Sequence, residues 1–177
     1  NLPGDMEPGL DTSVSHTPDA ATFPNGCHIC EIEIDPETGI PEIKRYTVVD
    51  DFGDTINPLL IEGQVHGGIV QGVGQALHEH TIYDEESGQL VSGSFMDYRM
   101  PRADDVPEFS FSMRNEKCTT NPLGIKGTGE AGAIGAPPSA ISAIVDALSN
   151  DSGFPDVDMP ATPDVIWALA NRPLAAE

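Results

Sequence analysis

The stretch that begins Asn57-Pro58 and runs to about Glu79 reads as a helix, yet it carries glycine at 63, 67, 68, 72 and 74. Asn57 suits the cap, because its side chain can accept the first free N–H groups, and proline suits the first turn. Each interior glycine costs on the order of 0.8–1 kcal/mol relative to alanine. A helix keeps so many only where something approaches its backbone closely. Gln64, Gln71 and Gln75 fall near one azimuth with Gly67 and Gly68 on the same stripe, and Val65, Ile69 and Ala76 form an apolar arc beside it. Two accounts stay open: a helix that crosses a neighbour tightly through its glycines, or an amide-and-glycine face laid against a polar, planar ligand.

The rest of the chain limits the partners. Its 177 residues suffice for one compact domain, or one lobe of something larger, without a disulfide or metal staple. Lys and Arg number 8 against 29 Asp and Glu, a formal charge of −21. That balance argues against a nucleic-acid or anionic-membrane partner, since phosphate contacts need clustered cations. No apolar run approaches the roughly 20 residues of a membrane span, and no signal-peptide pattern is visible. Three cysteines make no disulfide framework, and a reducing cytoplasm is the simplest setting. Cys27 and Cys30 form a CxxC, but in a strand they would face opposite ways, and too few further ligands exist for zinc.

Along the chain, residues 1–26 are rich in Pro, Gly, Asp, Ser and Thr and read as an extended lead-in. Cys30–Ile34 alternates apolar with acidic, Asp35-Pro36-Glu37-Thr38-Gly39 is a turn, and Ile43–Val49 is a second β-rich run, so a hairpin is expected. Leu90–Met96 and Phe109–Met113 read as further strands. A second helix is expected to start at Pro137-Pro138 and run through Leu148, and a short last one over Asp164–Ala170. Strands and helices come in mixed order, so the class is α+β: a mixed sheet built from hairpins, two main helices and a short C-terminal helix.

Chemistry concentrates in Asn121–Pro138. Gly127, Gly129 and Gly132 satisfy the GxGxxG spacing of a dinucleotide-binding loop. That reading requires a buried strand leading into Gly127, and Asn121-Pro122 and Gly124 stand in its place. It also sets Glu130 where a pyrophosphate would lie, and Asp151, at a suitable distance downstream, follows no strand. What remains is a carboxylate flanked by glycines, with Lys126 four residues before it. Glycines admit a reacting group closely, and apolar surroundings raise a carboxylate's pKa toward neutrality, which is how a general base is made. The plainer account is an acid that caps or solvates a loop. His78-Glu79-His80 lacks the i, i+4 spacing of two ligands on one helical face, and His66 reads as a packing residue.

Two blocks together, Ile61–Leu77 and Gly124-Ile-Lys-Gly-Thr-Gly-Glu-Ala-Gly132, resemble the molybdenum-binding subunit of the xanthine dehydrogenase and aldehyde oxidase family. The nearest branch is the large subunit of aerobic carbon monoxide dehydrogenase. Thr22–Gly26, the turn Asp35–Gly39 and the closing Ala161–Leu169 resemble the same family, in the same order. The resemblance implies one lobe, 27–177, of a larger subunit that holds molybdopterin with molybdenum, commonly in the cytosine dinucleotide form. It implies that Glu130 is the general base toward a hydroxyl on the metal, and that Gln64 hydrogen-bonds the pterin. Neighbouring backbone at Gly63, Gly67, Gly68, Gly127, Thr128 and Gly129 completes the implied cradle.

The implied partners are the N-terminal lobe of the same subunit, iron–sulfur and flavin subunits or domains that carry electrons away, and a small-molecule substrate: carbon monoxide, an aldehyde or an N-heterocycle. By itself the chain is expected to bind no molybdenum and turn nothing over. Two rivals remain: a non-catalytic structural or assembly module that keeps the fold, and a generic nucleotide-binding domain.

Overall fold

Two long helices lie side by side across one face of a three-stranded sheet. The computed structural model describes residues 3, 9–17, 19–149 and 153–172; the lead-in is therefore partly outside it, and Asp151 wholly so. The described part of the lead-in as far as Pro24 holds neither helix nor strand. The elements are β1 (Asn25–Ile34), β2 (Pro41–Asp51), α1 (Pro58–Leu77), β3 (Phe109–Met113), α2 (Ala131–Leu148) and α3 (Pro163–Ala170). The class is α+β, as expected.

β1 and β2 form the expected antiparallel hairpin. Its turn closes on Asp35, whose Oδ1 accepts from the amides of Glu37 at 2.8 Å and Thr38 at 3.2 Å. Gly39 has φ +74°, and a Cβ there would stand 2.2 Å from the carbonyl oxygen of Pro163, so the turn seats α3 as well. A bulge beside Glu31 leaves Lys44 without an opposite residue. That extra residue shifts the alternation, so Ile43, Tyr46, Val48 and Asp50 all face inward. β3 pairs parallel to the other side of β2, with Tyr46 opposite Phe109. The sheet is thus mixed, in the order β1-β2-β3.

α1 starts as the sequence predicts: Pro58 opens it, and the Asn57 side chain accepts from the amide of Leu60 at 3.3 Å. Val65, Ile69, Val73 and Ala76 are fully buried on its inner face, against Tyr46, Val48, Ala136, Ala140 and Ile144. α3 adds Ile166 to this core.

Two expectations fail. Leu90–Met96 is not a strand: Leu90 makes one isolated bridge to Tyr83, and the chain then turns, with Ser94 Oγ donating to Asp97 at 2.5 Å. A strand needs a partner and a face to bury, and Phe95 and Met96 are 87% and 93% exposed. α2 begins at Ala131, six residues before Pro137-Pro138, which lie inside it. Prolines within a helix cost roughly 3 kcal/mol, and here packing of α2 on α1 and β1 outweighs the penalty. By length and composition alone α2 would also pass for a membrane span; in this fold it buries Ala136, Ala140 and Ile144 in the core.

Candidate functional site

Four of the five glycines of α1 divide into two sets, while Gly74 is packed against Glu79 and Pro101, and both accounts of the helix hold at different positions. Gly68 and Gly72 face α2. A Cβ on Gly68 would lie 2.8 Å from the amide nitrogen of Ala133, and one on Gly72 would lie 2.8 Å from the Cβ of Ala136. Gly132 completes the crossing from the other helix, since its Cβ would stand 2.4 Å from the carbonyl oxygen of Val65. Gly63 and Gly67 face the other way and are exposed, with nothing within 4 Å of a Cβ on either. Gln64, Gln71 and Gln75 are also exposed. The amide stripe therefore includes Gly67 and excludes Gly68, which belongs to the crossing.

This close crossing sets the start of α2 beside α1. Gln64 Nε2 donates to the carbonyl of Gly129 at 2.8 Å. The next residue, Glu130, is the N-cap of α2, and its carbonyl accepts from the amide of Ile134 at 2.9 Å. The Glu130 side chain is exposed and makes no capping bond, so it is not spent on holding the loop. Gly127 and Gly129 also have nothing within 4 Å of a Cβ, and Gly129 has φ +48°. Among the described residues, the N–H groups of Gly127, Thr128, Gly129 and Glu130 have no partner. Those of Gly63, Gly67 and Gly68 lie inside α1 and are spent on its own ladder, so Gly63 and Gly67 offer close approach rather than donors, and Gly68 offers neither.

A buried ion pair, unforeseen from the sequence, holds this loop. Lys126 Nζ donates to Asp51 Oδ2, and both side chains are largely buried. Asp51 Oδ1 also accepts from the amides of Gly53 at 2.9 Å and Glu116 at 3.0 Å. Burial pushes the Asp51 carboxyl up, but Lys126 and the two amides outweigh it and hold it down at about 2. The amide of Lys126 donates to the carbonyl of Phe52 at 2.8 Å. Asn121 brackets Ile125, accepting its N–H at 3.1 Å and donating to its carbonyl at 2.9 Å. Asp51 and Lys126 lie 75 positions apart, and neither sits in a pattern that marks the other, so no local signal could have found the pair.

The other sequence candidates fall elsewhere. His66 lies edge-on to Phe109 and Phe111, with ring centroids 5.2 and 6.0 Å away, and packs the sheet. Cys27 is exposed and Cys30 half-buried; both are free thiols. No group of three or more His, Cys, Asp or Glu among the described residues is placed to hold a metal ion. No strand leads into Gly127: Ile125 makes only an isolated bridge to Gly53. The dinucleotide-loop reading therefore lacks the strand it requires.

An exposed amide and open glycine backbone on α1, with unpartnered N–H groups in the loop that leads into α2, form a surface open to a flat, polar, phosphate-bearing group. Comparison with known proteins gives the family. Residues 5–107 match the family described as "Molybdopterin cofactor-binding domain". The chain is 38% identical over 164 residues to the nicotine 6-hydroxylase large subunit of Paenarthrobacter nicotinovorans, covering 93% of this chain and 20% of that protein. It is 34% identical over 165 residues to the carbon monoxide dehydrogenase large chain of Hydrogenophaga pseudoflava, again 93% of this chain and 20% of the relative. The solved structure of reconstituted CO dehydrogenase from Oligotropha carboxidovorans superposes with a TM-score of 0.83 at 32% identity, over 94% of this chain and 20% of that one. The chain thus spans about a fifth of the length of the curated relatives it matches. With more than half of its length inside the matched family and its fold shared with members of known structure, the chain belongs to the molybdopterin cofactor-binding family.

Proposed function

We propose that this chain is the C-terminal lobe, 27–177, of a molybdenum hydroxylase large subunit, with 1–26 as its lead-in. It supplies a general-base carboxylate, Glu130, and part of the cofactor cradle. The observation that carries this reading is the Gln64–Gly129 hydrogen bond, which sets the amide-bearing face of α1 next to Glu130. Molybdopterin with molybdenum, in the cytosine dinucleotide form, supplies the two-electron redox chemistry when bound.

Each residue of the chain has a definite part. Gln64 offers a carboxamide to the pterin edge while its Nε2 braces the loop. Gly63 and Gly67 admit the ring system to van der Waals contact, because a side chain at either would fill the space it takes. The N–H groups of Gly127, Thr128 and Gly129 serve as donors to its oxygens, which suits a chain so poor in cations. Glu130 takes up a proton at a carboxylate oxygen.

The substrate is carbon monoxide, an aldehyde or an N-heterocycle, and electrons leave through iron–sulfur and flavin partners. The three free cysteines suit a reducing cytoplasm. A non-catalytic module with the same fold would need Glu130 in solvent and far from the Gln64 stripe; Glu130 is exposed, but the stripe adjoins it. Glu130→Gln in the complete enzyme decides between the two. Turnover should fall by about two to four orders of magnitude with molybdenum content nearly unchanged. Near-normal turnover would remove Glu130 from the chemistry.

A further inference from the structure

β1 is an outer strand of the sheet, and one of its edges faces no strand. Its register with β2 identifies the backbone groups that lie there. The carbonyl of Asp50 accepts from the amide of Arg114 at 2.9 Å, on the β3 side of β2. Residues directly opposite in an antiparallel pair either bond each other or both face away. Asp50 faces β3, so Gly26, opposite it on β1, faces outward. Alternation gives His28 and Cys30 the same direction, short of the bulge at Glu31. Among the described residues, the N–H groups of these three have no partner. The Ser139 hydroxyl lies 3.4 Å from the carbonyl of His28, but its single proton goes to the carbonyl of Gly135 at 2.8 Å.

Proline, lysine, a bulge or short length normally blunts such an edge. β1 runs 10 residues, Asn25–Ile34, with neither proline nor lysine, and its two charges, Glu31 and Glu33, lie beyond the open half. The bulge puts its extra residue, Lys44, on β2. β3, at the other side of the sheet, has only 5 residues. Two open clefts follow each other between β1 and α2. One of about 180 Å³ is lined by Gly26, His28, Ala131 and Ile134, and one of about 400 Å³ by His28, Cys30, Pro138 and Ala143.

A row of backbone donors and acceptors calls for an extended segment that supplies the complement. We propose that β1 receives a further strand from polypeptide of the same subunit beyond this chain. That strand bonds Gly26, His28 and Cys30 and seats uncharged, apolar side chains in the two clefts. Side chains two positions apart on a strand stand about 6.6–6.8 Å apart, the same step that separates Gly26, His28 and Cys30 along β1. The choice of source rests on the reading of this chain as one lobe, and fits relatives of which it spans 20%. A second copy is disfavoured, because two chains that each carry −21 repel. The open edge itself depends on neither argument.

Hydrogen exchange resolved to single amides, in the chain alone and in the complete subunit, tests this. In the chain, Gly26, His28 and Cys30 should exchange fast, while Cys27 and Ile29, which face β2, are protected. In the complete subunit the same three should slow by about a hundredfold or more. Ser142→Trp, at an exposed position of α2 that lines the larger cleft, should leave thermal unfolding of the chain unchanged and restore fast exchange at Cys30 in the subunit. Fast exchange of the three in the complete subunit, protection of them in the monomeric chain, or slowing at Cys30 that survives Ser142→Trp would overturn the added strand. Protection in the chain that vanishes on dilution would overturn the source in favour of a second copy. A subunit that holds molybdenum yet exchanges fast at these amides sinks the strand and leaves the lobe reading standing.

Discussion

Gln64 on α1 holds the carbonyl of Gly129 at 2.8 Å across 65 positions of sequence, and so fixes the residue before Glu130 to the helix that presents the amides. Gln64→Ala should cost about 0.5–1 kcal/mol of stability, the low end for a hydrogen bond because both partners are exposed. Faster hydrogen exchange confined to 127–133 is the accompanying signature. Exchange unchanged there would mean that the bond does not position the loop.

The two glycine sets respond oppositely to the same change. Gly132→Ala drives a methyl into the backbone of α1, 2.4 Å from the carbonyl oxygen of Val65, and should destabilise by about 1–3 kcal/mol or more. Gly67→Ala meets open space in a helix interior and should stabilise by about 0.5–1 kcal/mol. In the complete subunit the same Gly67→Ala should lower molybdopterin content. Thermal unfolding of the chain and cofactor analysis of the subunit read the two effects separately.

Acid should release the loop through Asp51. Its carboxyl sits at about 2 in the fold against an ordinary 3.8, so the unfolded chain takes up the proton first as pH falls. The contribution, roughly 2–3 kcal/mol, is fully present above about pH 4 and fades between about pH 4 and 2. Asp51→Asn should flatten that part of the stability–pH curve. At neutral pH it should cost about 3–5 kcal/mol, because Lys126 is left buried without its counter-charge. Urea midpoints across the acid range measure both; an acid limb that survives the substitution would assign it to other carboxylates.

Purified as it stands, the chain should carry no stoichiometric molybdenum and no hydroxylase activity, since its amide and glycine face is exposed on one side. Elemental analysis decides this, and one molybdenum per chain would show that a fifth of the relatives' length suffices to hold the cofactor.

Local signals carried much of the fold. Asn57-Pro58 opens α1, the Asp35–Gly39 turn makes the hairpin, and Phe109–Met113 is a strand, because caps, tight turns and alternation act within a few residues. The helix over Pro137-Pro138 starts six residues before those prolines, and Leu90–Met96 forms no strand. In both cases the deciding contact, or its lack, lies far away in sequence. The candidate site was legible in residue type: Gln64 and Glu130 each stand in a glycine-rich block that only a close approach would keep.

Sequence by itself determined most of the elements and the acidic balance, since each rests on residue type at short spacing, and the family showed as a resemblance of several blocks in order along the chain. Tertiary structure alone decided which glycines face a neighbour and which face open space, because a missing side chain looks the same in sequence whether a helix or a ligand takes its room. It alone paired Asp51 with Lys126 and left Asp50 Oδ2 unpartnered, because burial and partnership of a charge arise only when distant segments meet.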